Sequence, residues 1–477
     1  MPFDPQHYRP ETTLLELGGT FYDSVEAAAF PETLLRFRNT RAAAEIGLAN
    51  LTDAEWIAHF GRFDPLPGTL GHPLALRYHG HQFRQYNPDL GDGRGFTFAQ
   101  LRDRRGRLMD LGTKGSGQTP YSRFGDGRLT LKGAVREILA TEMLEALNVP
   151  TSRTLSVIET GEDLVRGDEP SPTRSAVLVR LSHSHVRIGT FQRLAFERDE
   201  TNMRRLVAYV LRELYGEEQR VEHAPHVQGS PGERSDPLPD DPVRLLDLVV
   251  GRTATLAARY MAAGFVHGVL NSDNINVTGE SFDYGPWRFA PTWDPGYTAA
   301  YFDHAGLYAF GRQPEAILWD VMQLAASLRL VADNEPLLAL LDEFGPRFQA
   351  AVAEAMLWRL GVSPRNEDSD RTLVQALERA LRTSGVGIDR FFFDAFGGRL
   401  PGGYGPEWQE VRDSLAGYAP RKDRSHAFWS GEPCSMLIDE VEAIWSRIAE
   451  DDDWSALEAK VATIRRMGEA LQGPAGA

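Results

Sequence analysis

The strongest constraint on how this chain folds is a change of period near residue 200. Before it, apolar residues come in short β-rich runs separated by glycine clusters; after it, they follow helical spacing. Between residues 75 and 195 the runs LALRYHG, GFTFAQL, LMDLGTKG, RTLSVIET and SAVLVRLS read as strands joined by tight turns. Inside that stretch, LKGAVREILATEMLEALNVP places Val135, Leu139 and Met143 at spacing four with Ile138 beside them, and Pro150 as a stop, which predicts one helix among the strands. From residue 200 helices dominate, interrupted at 221–243 by a segment rich in Pro, Gly and charge that reads as an exposed loop. PVRLLDLVVGRTATLAARYMAAGF then spells a long apolar helix, and WSALEAKVATIRRMGEALQ an amphipathic last one. The expected class is α+β: an N-terminal extension and β-rich small lobe over 1–195, then a helical large lobe over 196–477.

Charge and composition exclude several roles. With 67 acidic against 51 basic residues the formal net charge is -16, which argues against a sequence-independent grip on nucleic acid or an anionic membrane, so any basic site must be local. The start lacks a basic segment followed by an apolar run, and apolar stretches elsewhere are broken by charge well short of the roughly 20 residues a membrane span needs. A soluble, cytoplasmic protein is expected, and a monomer. The single cysteine, Cys434, has no partner for a disulfide or a thiolate metal site and reads as a buried thiol.

The chemistry concentrates in HGVLNSDNINVTGESFDYG, residues 267–285, at the end of the long apolar helix. His267 is followed seven residues later by Asn274, and nine after that by Asp283-Tyr284-Gly285, the spacing of the catalytic and metal-binding loops of kinases. Asn274 and Asp283 thus supply oxygen ligands suited to a hard divalent cation such as Mg²⁺, which takes one or two protein groups and completes its shell with nucleotide phosphates. Where a kinase keeps its catalytic Asp this chain has Val269; the nearest carboxylate able to act as base is Asp273. The alternative is that Asp273 only caps a turn in a protein that binds nucleotide without chemistry.

Upstream, Lys114 closes a predicted strand and Glu137 lies on the predicted helix, in the order of the Lys–Glu pair that holds nucleotide phosphates in kinases. Two glycine clusters frame the lysine: LGDGRG, with Gly91, Gly93, Arg94 and Gly95, and FGDGR, with Gly125, Asp126, Gly127 and Arg128. Either would let backbone N–H groups approach phosphate, and either also suits a hairpin turn. VRLSHSHVRIG adds Arg180 and Arg187 on an expected strand with an irregular middle. His79 and His81, and His183 and His185, alternate without a third ligand at a recognisable spacing, so zinc is not expected at them.

YHGHQF, LGDGR, KGSGQTPYSRFGDGR, VREIL, HGVLNSDN, DYGPWRF and AFGRQPEAILWD, in this order over roughly residues 70–330, together resemble the selenoprotein O family, whose bacterial members are called YdiU. The resemblance implies a protein-kinase-like two-lobed fold that binds ATP in a flipped orientation and transfers AMP to Ser, Thr or Tyr hydroxyls of acceptor proteins, with UMP from UTP as a further activity when Mn²⁺ is present. It implies Asp273 as catalytic base, Lys114 on phosphate supported by Glu137, and Asn274 and Asp283 on Mg²⁺ or Mn²⁺. Gly91, Gly93, Arg94, Asp126, Gly127, Arg180, Arg187 and Asp283 would contact the nucleotide. The sequence departs from the family at Arg84, where a Gly is usual, and in a divergent helical region at 340–477 with no terminal cysteine, so redox control there is not expected. Two other readings compete: γ-phosphoryl transfer, against which Val269 speaks, and a non-catalytic nucleotide-binding scaffold.

Overall fold

The computed structural model describes residues 2–167, 169–216 and 240–472. The strands are β1 (Pro10–Glu11), β2 (Tyr22–Ser24), β3 (Leu34–Arg38), β4 (Leu74–Leu76), β5 (Gly80–Gln82), β6 (Gln85–Asn87), β7 (Thr97–Arg102), β8 (Leu108–Lys114), β9 (Leu129–Thr130), β10 (Arg153–Leu164), β11 (Thr173–Ser182), β12 (Phe265–Val266) and β13 (Arg288–Phe289). The α-helices are α1 (Thr40–Glu45), α2 (Asp53–Gly61), α3 (Leu131–Ala146), α4 (Ile188–Glu197), α5 (Glu200–Tyr209), α6 (Asp241–Ala263) and α7 (Gln313–Leu328). They continue with α8 (Asn334–Asp342), α9 (Phe344–Leu360), α10 (Glu367–Ser384), α11 (Ile388–Ala395), α12 (Gln409–Leu415), α13 (Ile438–Asp451) and α14 (Ser455–Gln472).

A nine-stranded antiparallel sheet runs in the order β2-β4-β7-β8-β11-β10-β3, with β1 on β7 and β9 on β11. Its central strands β7, β8 and β11 are buried on both faces, and their alternation sorts residues between two layers. Met109, Leu111, Val177, Val179 and Leu181 face Trp56 and Phe60 of α2. Leu108 and Leu178 face the opposite layer, with Val135, Ile138 and Leu139 of α3. α3 starts where Thr130 caps Gly133 N–H at 3.1 Å, and its back is covered by α14.

The helical part is built on α6, which carries Pro242 in its first turn and is stopped by Gly264, in the left-handed region at φ 71°, and which packs against α7 and α9. Two expectations change here. The sheet region is not limited to one helix: α1 and α2 lie between its strands β3 and β4, and α4 begins at Ile188, so the boundary drawn at 195 falls inside a helix. Residues 241–243, read as loop, belong to α6, while 221–239 lie outside the described residues. Cys434 is buried, and burial pushes its thiol pKa up to about 11. Among the described residues no helix is long and apolar enough to cross a membrane.

Candidate active site

The period of two that sorts the sheet also builds the floor of the site. On β8, Leu108, Asp110, Gly112 and Lys114 share the face of α3, and on the paired β11 so do Leu178, Arg180 and Ser182, with Leu178 opposite Lys114 and Arg180 opposite Gly112. Lys114 therefore meets α3, where Glu137, one turn before Thr141, is fully buried: Lys114 Nζ donates to Glu137 Oε2 at 2.6 Å. Arg180 Nη2 donates to Asp283 Oδ1 at 2.7 Å, and Lys114 Nζ stands 3.9 Å from the same oxygen. Asp283, in the left-handed region at φ 61°, is thus wrapped by cations, with Arg187 Nη2 3.6 Å from its other oxygen. Burial works against its charge, but Arg180, Lys114 and Arg187 hold its pKa well below the usual carboxylate range. Burial lowers the pKa of Lys114, against the pull of Glu137.

Residues 267–287 are clamped at both ends by the β12–β13 pair. Inside the clamp His267 is buried and donates from Nε2 to the Phe282 carbonyl at 3.0 Å. Asn271 to Asn274 then make one turn of 3-10 helix, held from outside by other elements. Ser272 Oγ accepts from His81 N–H at 2.7 Å and donates to Gln192 Oε1 on α4 at 2.6 Å. Asn271 Oδ1 accepts from Phe83 N–H at 3.0 Å and from Tyr308 O–H at 2.7 Å. Asn274 Nδ2 donates to the Val269 carbonyl at 3.0 Å.

Between these held neighbours, Asp273 has a buried oxygen, Oδ1, with no hydrogen-bond partner among the described residues. Burial raises its pKa to about 7, against its own backbone amide and Arg187. A carboxylate so tuned accepts a proton near neutral pH. A Cβ on Gly80 would stand 3.0 Å from Asp273 Cβ, so glycine there keeps the β5–β6 hairpin close against it.

The mouth is made by the two glycine clusters, which the fold brings together. Residues 117–127 lie over 91–94: Thr119 Oγ1 donates to the Asp92 carbonyl and Ser122 Oγ to the Gly93 carbonyl, both at 2.5 Å. Gly91 and Gly93 lack side chains for a steric reason, because a Cβ would stand 2.3 Å from the Tyr121 ring and 2.8 Å from its carbonyl, respectively. Gly127, at φ 71°, packs on the Gly117 backbone.

All the nucleotide and metal candidates named from sequence, together with Asp273, line one cleft of about 700 Å³; Glu137 lies just behind Lys114. Two placements differ from expectation. Arg187 is not on a strand: β11 ends at Ser182, Ser184 turns at φ 76°, and Arg187 is the residue before α4, with Nη1 3.3 Å from Asp92 Oδ1 and its guanidinium 4.3 Å over the Tyr78 ring. Asp126 points to the rim, paired with Arg166 at 2.8 Å. The four histidines do not converge: His81 bonds Gln192, His79 bonds Tyr86, and His185 bonds Asp110.

Sequence reasoning missed Arg166, Asp92, Gln192 and Asn271. Asp92 and Asn271 sit inside motifs already singled out, whereas Arg166 and Gln192 carry no local signal. Asn274 and Asp283 can offer hard oxygen donors to a divalent cation: the amide nitrogen of Asn274 is engaged by Val269, leaving its oxygen as the free donor, and both residues line the cleft.

The family model described as protein adenylyltransferase SelO matches residues 5–400. That span continues past residue 340, where the recognisable motifs stop. A protein nucleotidyltransferase YdiU of Synechococcus elongatus is 41% identical over 98% of this chain and 96% of its own length. Relatives with the same description in Synechocystis (39% identical, 95% of this chain, 96% of theirs) and Azotobacter vinelandii (35%, 90% and 82%) are also similar.

Proposed function

Since the chain belongs to the SelO family of protein adenylyltransferases, we propose that its cleft transfers AMP from ATP to hydroxyl groups of acceptor proteins, releasing pyrophosphate. The observation that carries this reading is Asp273: a buried carboxylate with a free oxygen and a pKa near 7, in the same cleft as Lys114 and Asp283, while the usual base position is the apolar Val269.

In the step proposed, Asp273 takes the proton as the acceptor oxygen attacks the α-phosphorus. The bond from that phosphorus to the pyrophosphate oxygen breaks, and pyrophosphate carries away the electron pair. Lys114, aligned by Glu137, and Arg180 and Arg187 steady the negative charge on the phosphates in a site already arranged for it. Asn274 and Asp283 would hold Mg²⁺ or Mn²⁺, which supplies Lewis-acid stabilisation of the phosphate oxygens. Asp126, Gly91, Gly93, Arg94 and Gly127 border the nucleotide at the mouth, with Arg166 beside them.

This reading takes the sheet with α3 as the small lobe of a kinase-like pair, the helices around α6 and α7 as the large one, and the nucleotide as flipped so that its α-phosphate faces Asp273. UTP would enter the same cleft with Mn²⁺. The test uses ATP labelled at the α- or the γ-phosphate, with purified protein and a cell lysate as acceptor. Label transferred from the α-position alone, and abolished by Asp283→Ala, is expected. Transfer from the γ-position alone would replace the proposal with a kinase reading, and transfer from neither with a scaffold.

A further inference from the structure

β5 and β6 pair from Gly80–Asn87 to Gln82–Gln85, leaving Phe83 and Arg84 as a two-residue turn. Both have positive φ, 50° and 62°. Such turns favour Asn and Gly; a phenylalanine in the left-handed region is a costly choice. Burial recovers only part of that cost, since Phe83 is 37% exposed. It stands 5.8 Å from Phe302, itself 42% exposed and 5.1 Å from Tyr301, which is 78% exposed. Three aromatic side chains thus form one exposed row, where strain and exposed apolar surface coincide.

The row is attached to the reacting part of the molecule. Phe83 N–H and Tyr308 O–H both donate to Asn271 Oδ1, two residues before Asp273, and the Phe83 ring lies 5.1 Å from that of Tyr308. Beside it Arg84 and Arg312 share one carboxylate, Glu315, at 3.2 and 3.4 Å.

We infer that Phe83, Tyr301 and Phe302 form a docking platform for an extended segment of the acceptor protein that carries an apolar side chain next to the modified hydroxyl. The inference rests on the adenylyl-transfer reading. A chain that delivers a hydroxyl to Asp273 comes up to the 271–274 turn, and the aromatic row is fastened to that turn through Phe83 and Asn271.

The test measures transfer from α-labelled ATP to a set of synthetic peptides. Each has one serine in an otherwise constant sequence, with Leu, Phe, Gly or Asp beside it. The wild-type protein is expected to use Leu- and Phe-flanked peptides at least about tenfold more efficiently, in kcat/KM, than Gly- or Asp-flanked ones. The double variant Tyr301→Ser with Phe302→Ser should lose that preference while its melting temperature, ATP affinity and labelling of itself stay unchanged. A wild-type protein without flank preference, a double variant that keeps it, or a wild-type protein that labels itself but no peptide would each overturn the platform. Absence of α-label in peptides, lysate and enzyme alike would instead remove the adenylyl-transfer premise.

Discussion

At the scale of single residues, the two carboxylates that carry the proposed chemistry differ by their surroundings alone. Asp283 is ringed by Arg180, Lys114 and Arg187 and stays ionised; Asp273 is buried with one unpartnered oxygen and titrates near 7. Such a division gives one residue to charge binding and the other to proton transfer. A base works only when ionised, so activity should rise with pH through about 7 and fall roughly tenfold per pH unit well below it. A pH–rate profile of wild-type protein under saturating ATP checks the limb. Asp273→Asn should remove it and cost about 10²- to 10⁴-fold in rate, the usual worth of a general base. His267 and Asn274 were legible from spacing, yet what each touches was not: His267 is a structural bolt to the Phe282 carbonyl.

At the scale of elements, the register of β8 on β11 matters most, because it puts Lys114 and Arg180 on one face and leaves Gly112 opposite Arg180. Gly112 has no room for a side chain: a Cβ would lie 2.4 Å from His185 Nε2. His185 in turn holds Arg187, whose Nη1 donates to the His185 carbonyl at 3.2 Å. Gly112→Ala should therefore destabilise by about 1–3 kcal/mol, the usual cost of overpacking, and also weaken ATP binding by moving Arg187. Chemical denaturation read beside ATP titration separates the two effects; full stability with unchanged affinity would contradict this account of the β8–β11 register. The strands and α3 were legible because their periodicity is strong, whereas the helical start of α4 was hidden behind what looked like a continuing strand at Arg187.

At the scale of the whole molecule, the C-terminal helices close back on the sheet. Arg465 of α14 donates to both oxygens of Glu142 on α3, at 2.8 and 2.5 Å, and Gly468 packs against Ala146, where a Cβ would stand 3.3 Å away. Asp452, after α13, meets Arg174 of β11 at 2.7 Å and Arg36 of β3 at 3.1 Å. α3, the helix that bears Glu137, is thus braced by α14. Arg465→Ala leaves the buried Glu142 short of its main partner and should lower stability by about 1.5–3 kcal/mol, the worth of hydrogen bonds to a charged group. A shifted urea midpoint with an unchanged slope is the expected result; an unmoved midpoint would mean that α14 does not brace α3.

The residue order in short motifs determined the family, the class of reaction and a list of candidates that the fold gathers around one cleft. Those features are local: glycine where backbones must approach, Lys, Asn and Asp at kinase-like spacing, alternation that marks strands. What only the tertiary structure decided is what each of these groups meets. Asp273 titrates near 7 because distant segments bury it, Gly91 and Gly93 are glycines because Tyr121 lies on them, and Asp126 turns to Arg166. Burial, partner charge and steric fit depend on residues brought together from far along the chain, as at Lys114 and Glu137 or Arg465 and Glu142, and no local pattern contains them.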